Sequence, residues 1–238
     1  MKIDKTRILV TLSLAVCLLL LGTPLTHTGQ RGLNLKTLPK TVQKTINQQS
    51  QGGSIRVIWK ESRGGKTYYG VAMKVNGQRK EIVVDAEGRL VTSEDAVKLA
   101  ALPEAVQKVV QEQSKGGTLK GVSQEIEGEK INYEAAVQVN GQQKEILIDP
   151  MGNVLEVEEK LTLDSLPPAV KAAIEKHAGK AKVLWIESIT KGKDVVYEAV
   201  LETEGRRSEI KVTADGRLIK GSGSASISNG NTAPARVA

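Results

Sequence analysis

The chain has 238 residues and a formal net charge of +7, with no Phe, two Trp, four Tyr and one Cys. Its core must therefore be assembled from Val, Ile, Leu and Ala, and a single cysteine excludes an intrachain disulfide. Charge on this scale bears on solubility and on attraction to anionic surfaces rather than on fold.

Lys2, Lys5 and Arg7 precede an apolar run of 14 residues, Ile8 to Leu21, which Gly22 and Pro24 break. That is the plan of a secretory signal peptide, and the run is shorter than the roughly 18 apolar residues that a spanning helix needs. Residues 1–28 are expected to be that signal, cut between Gly22 and Gly32. An uncleaved N-terminal anchor is the alternative. Cys17 follows Val16 and precedes four Leu, so it reads as an apolar signal residue rather than a lipid-bearing cysteine. Without the signal the chain has no thiol. Residues 29–34 read as a linker.

From there the sequence repeats. Leu38-Pro39, Leu102-Pro103 and Leu166-Pro167 stand 64 residues apart, and the same step joins Tyr69, Tyr133 and Tyr197; Glu81, Glu145 and Glu209; and Gly88, Gly152 and Gly216. A fixed period is the signature of repeat architecture. After each Leu-Pro, apolar residues recur at spacings of three and four, as in Val42 and Ile46, or Val106 and Val110, which predicts a one-sided helix. Gly52-Gly53, Gly116-Gly117 and Gly179 end these helices. Tyr69, Val71, Met73 and Val75 alternate with smaller or polar residues, which predicts a half-buried strand. Asn76-Gly77 and Asn140-Gly141 predict tight hairpins, because both turn positions need positive φ. A second turn, at Gly88, Gly152 or Gly216, leads into a last strand.

The expected fold is α+β: three tandem repeats, each a helix followed by an antiparallel meander of three or four strands, with each helix on one sheet face. The expected boundaries are 35–91, 102–157 and 164–220 for the repeats and 92–101 and 158–163 for the junctions, with a disordered tail at 221–238. The first junction is expected to contribute at most a short lead helix.

These units resemble the PepSY-like family, in its subgroup similar to β-lactamase-inhibitor modules. The resemblance rests on Leu-Pro-x-x-Val opening a helix, on Tyr133-Glu134-Ala135 and Tyr197-Glu198-Ala199, and on the final Asp-x-x-Gly-x-Leu hairpin, complete at Asp85–Leu90. The first unit departs from it, since Tyr69 is followed by Gly70 and Val71. The resemblance implies a secreted or periplasmic protein that binds or inhibits other proteins, peptidases among them. It implies no catalytic residues.

The residues agree that chemistry is sparse. The two histidines are His27, in the signal region, and His177, which aligns with Gln49 and Gln113 and so reads as a polar helix position. No G-x-S-x-G or phosphate loop occurs, and Asp85-Ala86-Glu87-Gly88 lacks the alternating oxygen ligands of a calcium loop. No enzyme activity, metal or cofactor is expected. Glu81, Glu145 and Glu209 each precede a core Ile, so they point to the opposite sheet face. They read either as a carboxylate row for a cationic partner or as cross-strand mates of Lys or Arg, and repetition in all three copies favours the second reading.

Charge is uneven: residues 35–91 carry eleven basic against four acidic side chains, a net of +7, while 102–157 come to −4 and 164–220 to +2. The basic first unit, through Arg56, Trp59, Lys60 and Arg63, is therefore the expected partner surface, with Trp59 as an exposed anchor because it aligns with Ser123 and Glu187. Packing of Trp59 inside the protein is the competing reading. Trp185 aligns with Val57 and is expected to be the more buried of the two. The expected partner is a protein or an envelope polymer. Nucleic acid is disfavoured by export, and membrane contact is limited to an uncleaved N-terminus. A self-associating envelope scaffold is the alternative function.

Overall fold

The computed structural model describes residues 29–63, 65–204 and 206–219. The expected signal segment and C-terminal tail lie outside the described residues.

Helices α1 (Lys40–Ser50), α2 (Glu104–Gln113) and α3 (Pro168–Ala178) each follow a Leu-Pro. Pro39, Pro103 and Pro167 are their N-caps, all with φ near −54° and extended ψ. Proline suits this place because its fixed φ fits and its missing N–H has no intrahelical partner to lose. The preceding leucine carbonyls are met from the helix: Gln43 Nε2 donates to Leu38 O and Gln107 Nε2 to Leu102 O, both at 2.8 Å. The buried stripes are Val42 and Ile46, Val106 and Val110, and Val170, Ala173 and Ile174.

The strands are β1 (Gly29–Arg31), β2 (Ser54–Arg63), β3 (Lys66–Val75), β4 (Gln78–Asp85), β5 (Leu90–Val97) and β6 (Gly117–Glu127). They continue as β7 (Lys130–Val139), β8 (Gln142–Ile148), β9 (Val154–Leu161), β10 (Lys182–Lys191), β11 (Asp194–Thr203) and β12 (Arg206–Thr213). Asn76 and Gly77 have φ of 51° and 82°, and Asn140 and Gly141 have 52° and 81°, as the β3–β4 and β7–β8 hairpins require.

The strands correct the expected architecture. They do not form three separate meanders; they form one sheet of twelve strands in sequence order, antiparallel throughout, and the protein is largely β. The finding that overturns the three-unit picture is the pairing across the junctions. β5 pairs β6 from Thr92↔Glu127 to Val97↔Val122, and β9 pairs β10 from Val157↔Thr190 to Leu161↔Ile186. Residues 92–97, read as a junction, are strand, and only Leu99–Ala101 form a single helical turn. The physical reason is the edge problem: a free last strand exposes unpaired N–H and C=O groups, and the first strand of the next segment satisfies them.

All three helices lie on one face of the sheet, since the register carries the same side-chain parity from Val71 and Ile82 through Val122 and Ala135 to Ile186 and Ala199. Three apolar clusters form beneath them: around Ile46, Val71 and Ile82; around Val110, Val137 and Ile146; and around Ile174, Ala199 and Val212. Tyr69 belongs to the first cluster, and Tyr133 and Tyr197 are packed against the other two.

Candidate interaction face

The other sheet face contacts no described helix. Its residues follow from register. From β4 to β6, Glu81 lies opposite Glu94, and Glu94 opposite Glu125. Further along, Glu145 lies opposite Glu158, and Glu187 opposite Glu198. Carboxylates thus face carboxylates across neighbouring strands, an arrangement that opposes sheet pairing when both are charged. Glu156 on β9 also adds to the raised pKa of Glu125 on β6. Glu81, Glu94, Glu134 and Glu198 are buried on this face although no described helix covers it.

Burial dominates the electrostatics. It pushes the Glu94 carboxyl up to about 7 against the pull of the Ser123 hydroxyl, with Glu125 and Asp95 adding to the rise. Burial likewise takes Glu125 to about 7, with help from Glu127 and Glu156, and Glu187 to about 7, with help from Glu198. Glu158 is raised well above the ordinary carboxylate value by burial and by Glu187, Glu156 and Glu145. Removing a carboxylate from water without full compensation favours its neutral form. Cations supply part of the compensation. Lys211 Nζ lies 2.5 Å from Glu198 Oε2, and Lys191 Nζ lies 2.8 Å from Glu156 Oε2. Burial works against the Lys211 ammonium, but Glu198 and Glu209 outweigh it and raise its pKa.

The expected partner residues do not come together. Trp59 pairs Gly70 and lies on the acidic face, whereas Lys60 pairs Tyr69 and projects on the helix side. Arg56 is exposed at the bulge between Ile55 and Val57. The Arg63 side chain lies outside the described residues. Trp59 is no exposed anchor: it is 1% exposed and packs with Ala72 and Val57. Its ring occupies the space above Gly70, where an added Cβ would sit 2.1 Å from Cε2. Trp185 is the more exposed tryptophan, contrary to expectation. It lies beyond the stretch of β10 that β9 covers, whereas Trp59 has β1 beside it.

Glu81, Glu145 and Glu209 do point away from the core. The residues opposite them are Ala72 and Glu94, Ala136 and Glu158, and Val200, not Lys or Arg. The sequence did not single out Glu94 and Glu158, which fall in segments read as junctions, nor Glu125 and Glu187, which lie on the strands that follow α2 and α3. His177 is exposed on α3. Among the described residues no group of three or more His, Cys, Asp or Glu side chains could hold a metal ion, and no helix is long and apolar enough to cross a membrane.

The fold and face define a class: a long antiparallel sheet with helices on one side and, on the other, a carboxylate-rich face that no described helix covers and whose central carboxylates are buried. The family model described as "Putative beta-lactamase-inhibitor-like, PepSY-like" matches residues 67–156 and 132–220, together more than half of the chain, and the chain belongs to that family. The matches begin at β3, so α1 and β2 lie outside them. Among solved structures, the chain is similar to a BLIP-like protein from Bacteroides fragilis at 21% identity and a TM-score of 0.44, covering 56% of this chain and 92% of that one. It is also similar to a protein from Bacteroides eggerthii described as periplasmic, at 18% identity and a TM-score of 0.44, covering 51% and 88%. Comparison with the curated proteins gives no match.

Proposed function

We propose that this is an exported, non-enzymatic binding protein of the cell envelope whose acidic sheet face receives a positively charged partner protein, in the manner of an inhibitor. The observation that carries the reading is the gathering of carboxylates from β4 to β12 on the one face that no described helix covers, in a chain whose overall charge is +7. Complementary charge steers encounter and selects partners. Membership of a family described as beta-lactamase-inhibitor-like supports binding rather than turnover. The basic n-region and apolar run at the N-terminus support export.

The test uses the rim of the face, where substitution spares the packed interior. Glu127 and Glu202 lie on the acidic side, Glu127 exposed and Glu202 half-buried. The chain, and its Glu127→Lys/Glu202→Lys variant, are immobilised and challenged with the envelope fraction of the source cells. The wild type is expected to retain a basic protein that dissociates in about 0.5 M salt, where screening reaches within a few ångströms. The variant is expected to bind it at least about tenfold more weakly while melting at the same temperature. Equal retention by both proteins, or retention indifferent to salt, would remove the acidic face from the account.

A further inference from the structure

Three strand pairs in this sheet are not closed by a hairpin; β1 and β2, joined through α1 at the edge, are one, and the other two lie inside the sheet. β5 and β6 are joined through α2, and β9 and β10 through α3, so each pair is a seam held by its ladder and by side chains. Carboxyls gather at both: Glu94 and Glu125 face each other across the β5–β6 seam, whereas Glu158 and Glu187 face Ile189 and Lys160 across the β9–β10 seam and meet there only diagonally. At the first, Glu94, 5% exposed, lies directly between Glu81 on β4 and Glu125 on β6. Arg79 on β4, Asp95 on its own strand and Ser123 on β6 are its other charged or polar neighbours. Glu125 in turn meets Glu127 on its own strand, Asn132 across on β7 and Glu156 on β9.

At the second seam Glu158 lies opposite Glu145 on β8 and Ile189 on β10, with Glu187 one pair along, Glu156 on its own strand and Glu198 on β11. Glu187 pairs Lys160 on β9 and Glu198 on β11, and feels Glu209 and Lys211 on β12. The second seam therefore has Lys160 and Lys211 close by, while Arg79 is the cation acting on Glu94 at the first.

We propose that these two seams are proton-dependent joints: tight while the carboxyls gathered there keep their protons, and loosened ahead of the rest of the sheet once those carboxyls ionise. A neutral carboxyl can donate a hydrogen bond where an ionised one can only accept, so a pair that shares a proton attracts and a pair without one repels. The direction in pH follows by linkage. Glu94 and Glu125 are held near 7, above the ordinary 4.5, so the stability they contribute is complete below that ordinary value and is lost as pH rises through about 7. Asp149 and Asp164 run the other way, held low by Asn153 and Lys171 respectively, and stay charged over the same range. The joints are a property of the chain itself, so a face that binds nothing would leave them unchanged.

Amide hydrogen exchange resolved by segment tests this, compared at about pH 5.5 and about pH 8.5 after correction for intrinsic chemical exchange. Local opening is read directly by such protection. Amides of β5 and β6 are expected to lose at least about tenfold in protection at the higher pH, relative to β3 and β7, with a smaller loss at β9 and β10. The Glu94→Gln/Glu125→Gln variant is expected to abolish the response at β5–β6 and keep it at β9–β10. If the double variant does not fold, Glu125→Gln alone is expected to reduce the β5–β6 response at least about threefold. A pH response spread evenly over all strands, or one at β5–β6 that survives substitution, would overturn the proposal.

Discussion

Trp59→Ala is expected to destabilise the protein by about 3–5 kcal/mol, the range for emptying a large buried aromatic site. Trp59 is 1% exposed, and its ring lies directly against the backbone of Gly70 and packs with Ala72 and Val57. The reciprocal change is equally informative. Gly70→Ala would place a Cβ 2.1 Å from the Trp59 ring, which must then leave its position. Overpacking of this kind costs about 1–3 kcal/mol or more. Register explains why the pair exists. Trp59↔Gly70 occupies the place that Ser123↔Glu134 and Glu187↔Glu198 hold further along the sheet. The double variant Trp59→Ser/Gly70→Glu rebuilds the Ser123↔Glu134 pair and is expected to recover part of what Trp59→Ala loses. Urea unfolding of the four proteins checks this. If Trp59→Ala shifts stability by less than about 1 kcal/mol, the ring is not the packed element described here.

Gly88→Ala is expected to cost about 2–4 kcal/mol, from a left-handed backbone together with a steric clash. Gly88 has φ of 88°, and an added Cβ would stand 2.7 Å from the Thr41 backbone at the start of α1. Thr45 Oγ1 also donates to Gly88 O at 2.5 Å, so the β4–β5 turn is tied to the helix. Gly152 and Gly216 approach Ala105 and Ala169 in the same way. Gly77→Ala is the matched control. Its φ is 82°, but nothing lies within 4 Å of the added Cβ. Thermal melts of the two variants separate backbone strain from helix contact: Gly88→Ala is expected to lower the melting temperature clearly more than Gly77→Ala. Equal shifts would mean that the close approach contributes nothing.

The local elements were legible because they depend on neighbours in sequence. Leu-Pro openings, stripes at spacings of three and four, and Asn-Gly turns marked the helices and hairpins, and the parity of Glu81 against Ile82 assigned the acidic side chain to the face away from the core. The strand at 92–97 was not legible. It puts Ser93 and Asp95 on one face and Thr92 and Glu94 on the other, so no apolar alternation announces it. Its strand character comes from pairing with β6, which begins 20 residues after β5 ends.

The candidate site divides the same way. The anomalies at Trp59 and at Gly70 were both visible in the repeat alignment, but as separate departures. Pairing across β2 and β3 makes them one feature, and it turns an expected surface anchor into a buried ring. Lys60, one residue along, goes to the opposite face because side chains alternate along a strand. The sequence by itself determined which segments are helix and hairpin, since backbone preference and short-range apolar spacing are local. Tertiary structure alone decided that the strands join into one sheet and that its acidic side chains face one another, because register between distant strands is set by contacts that no stretch of sequence contains.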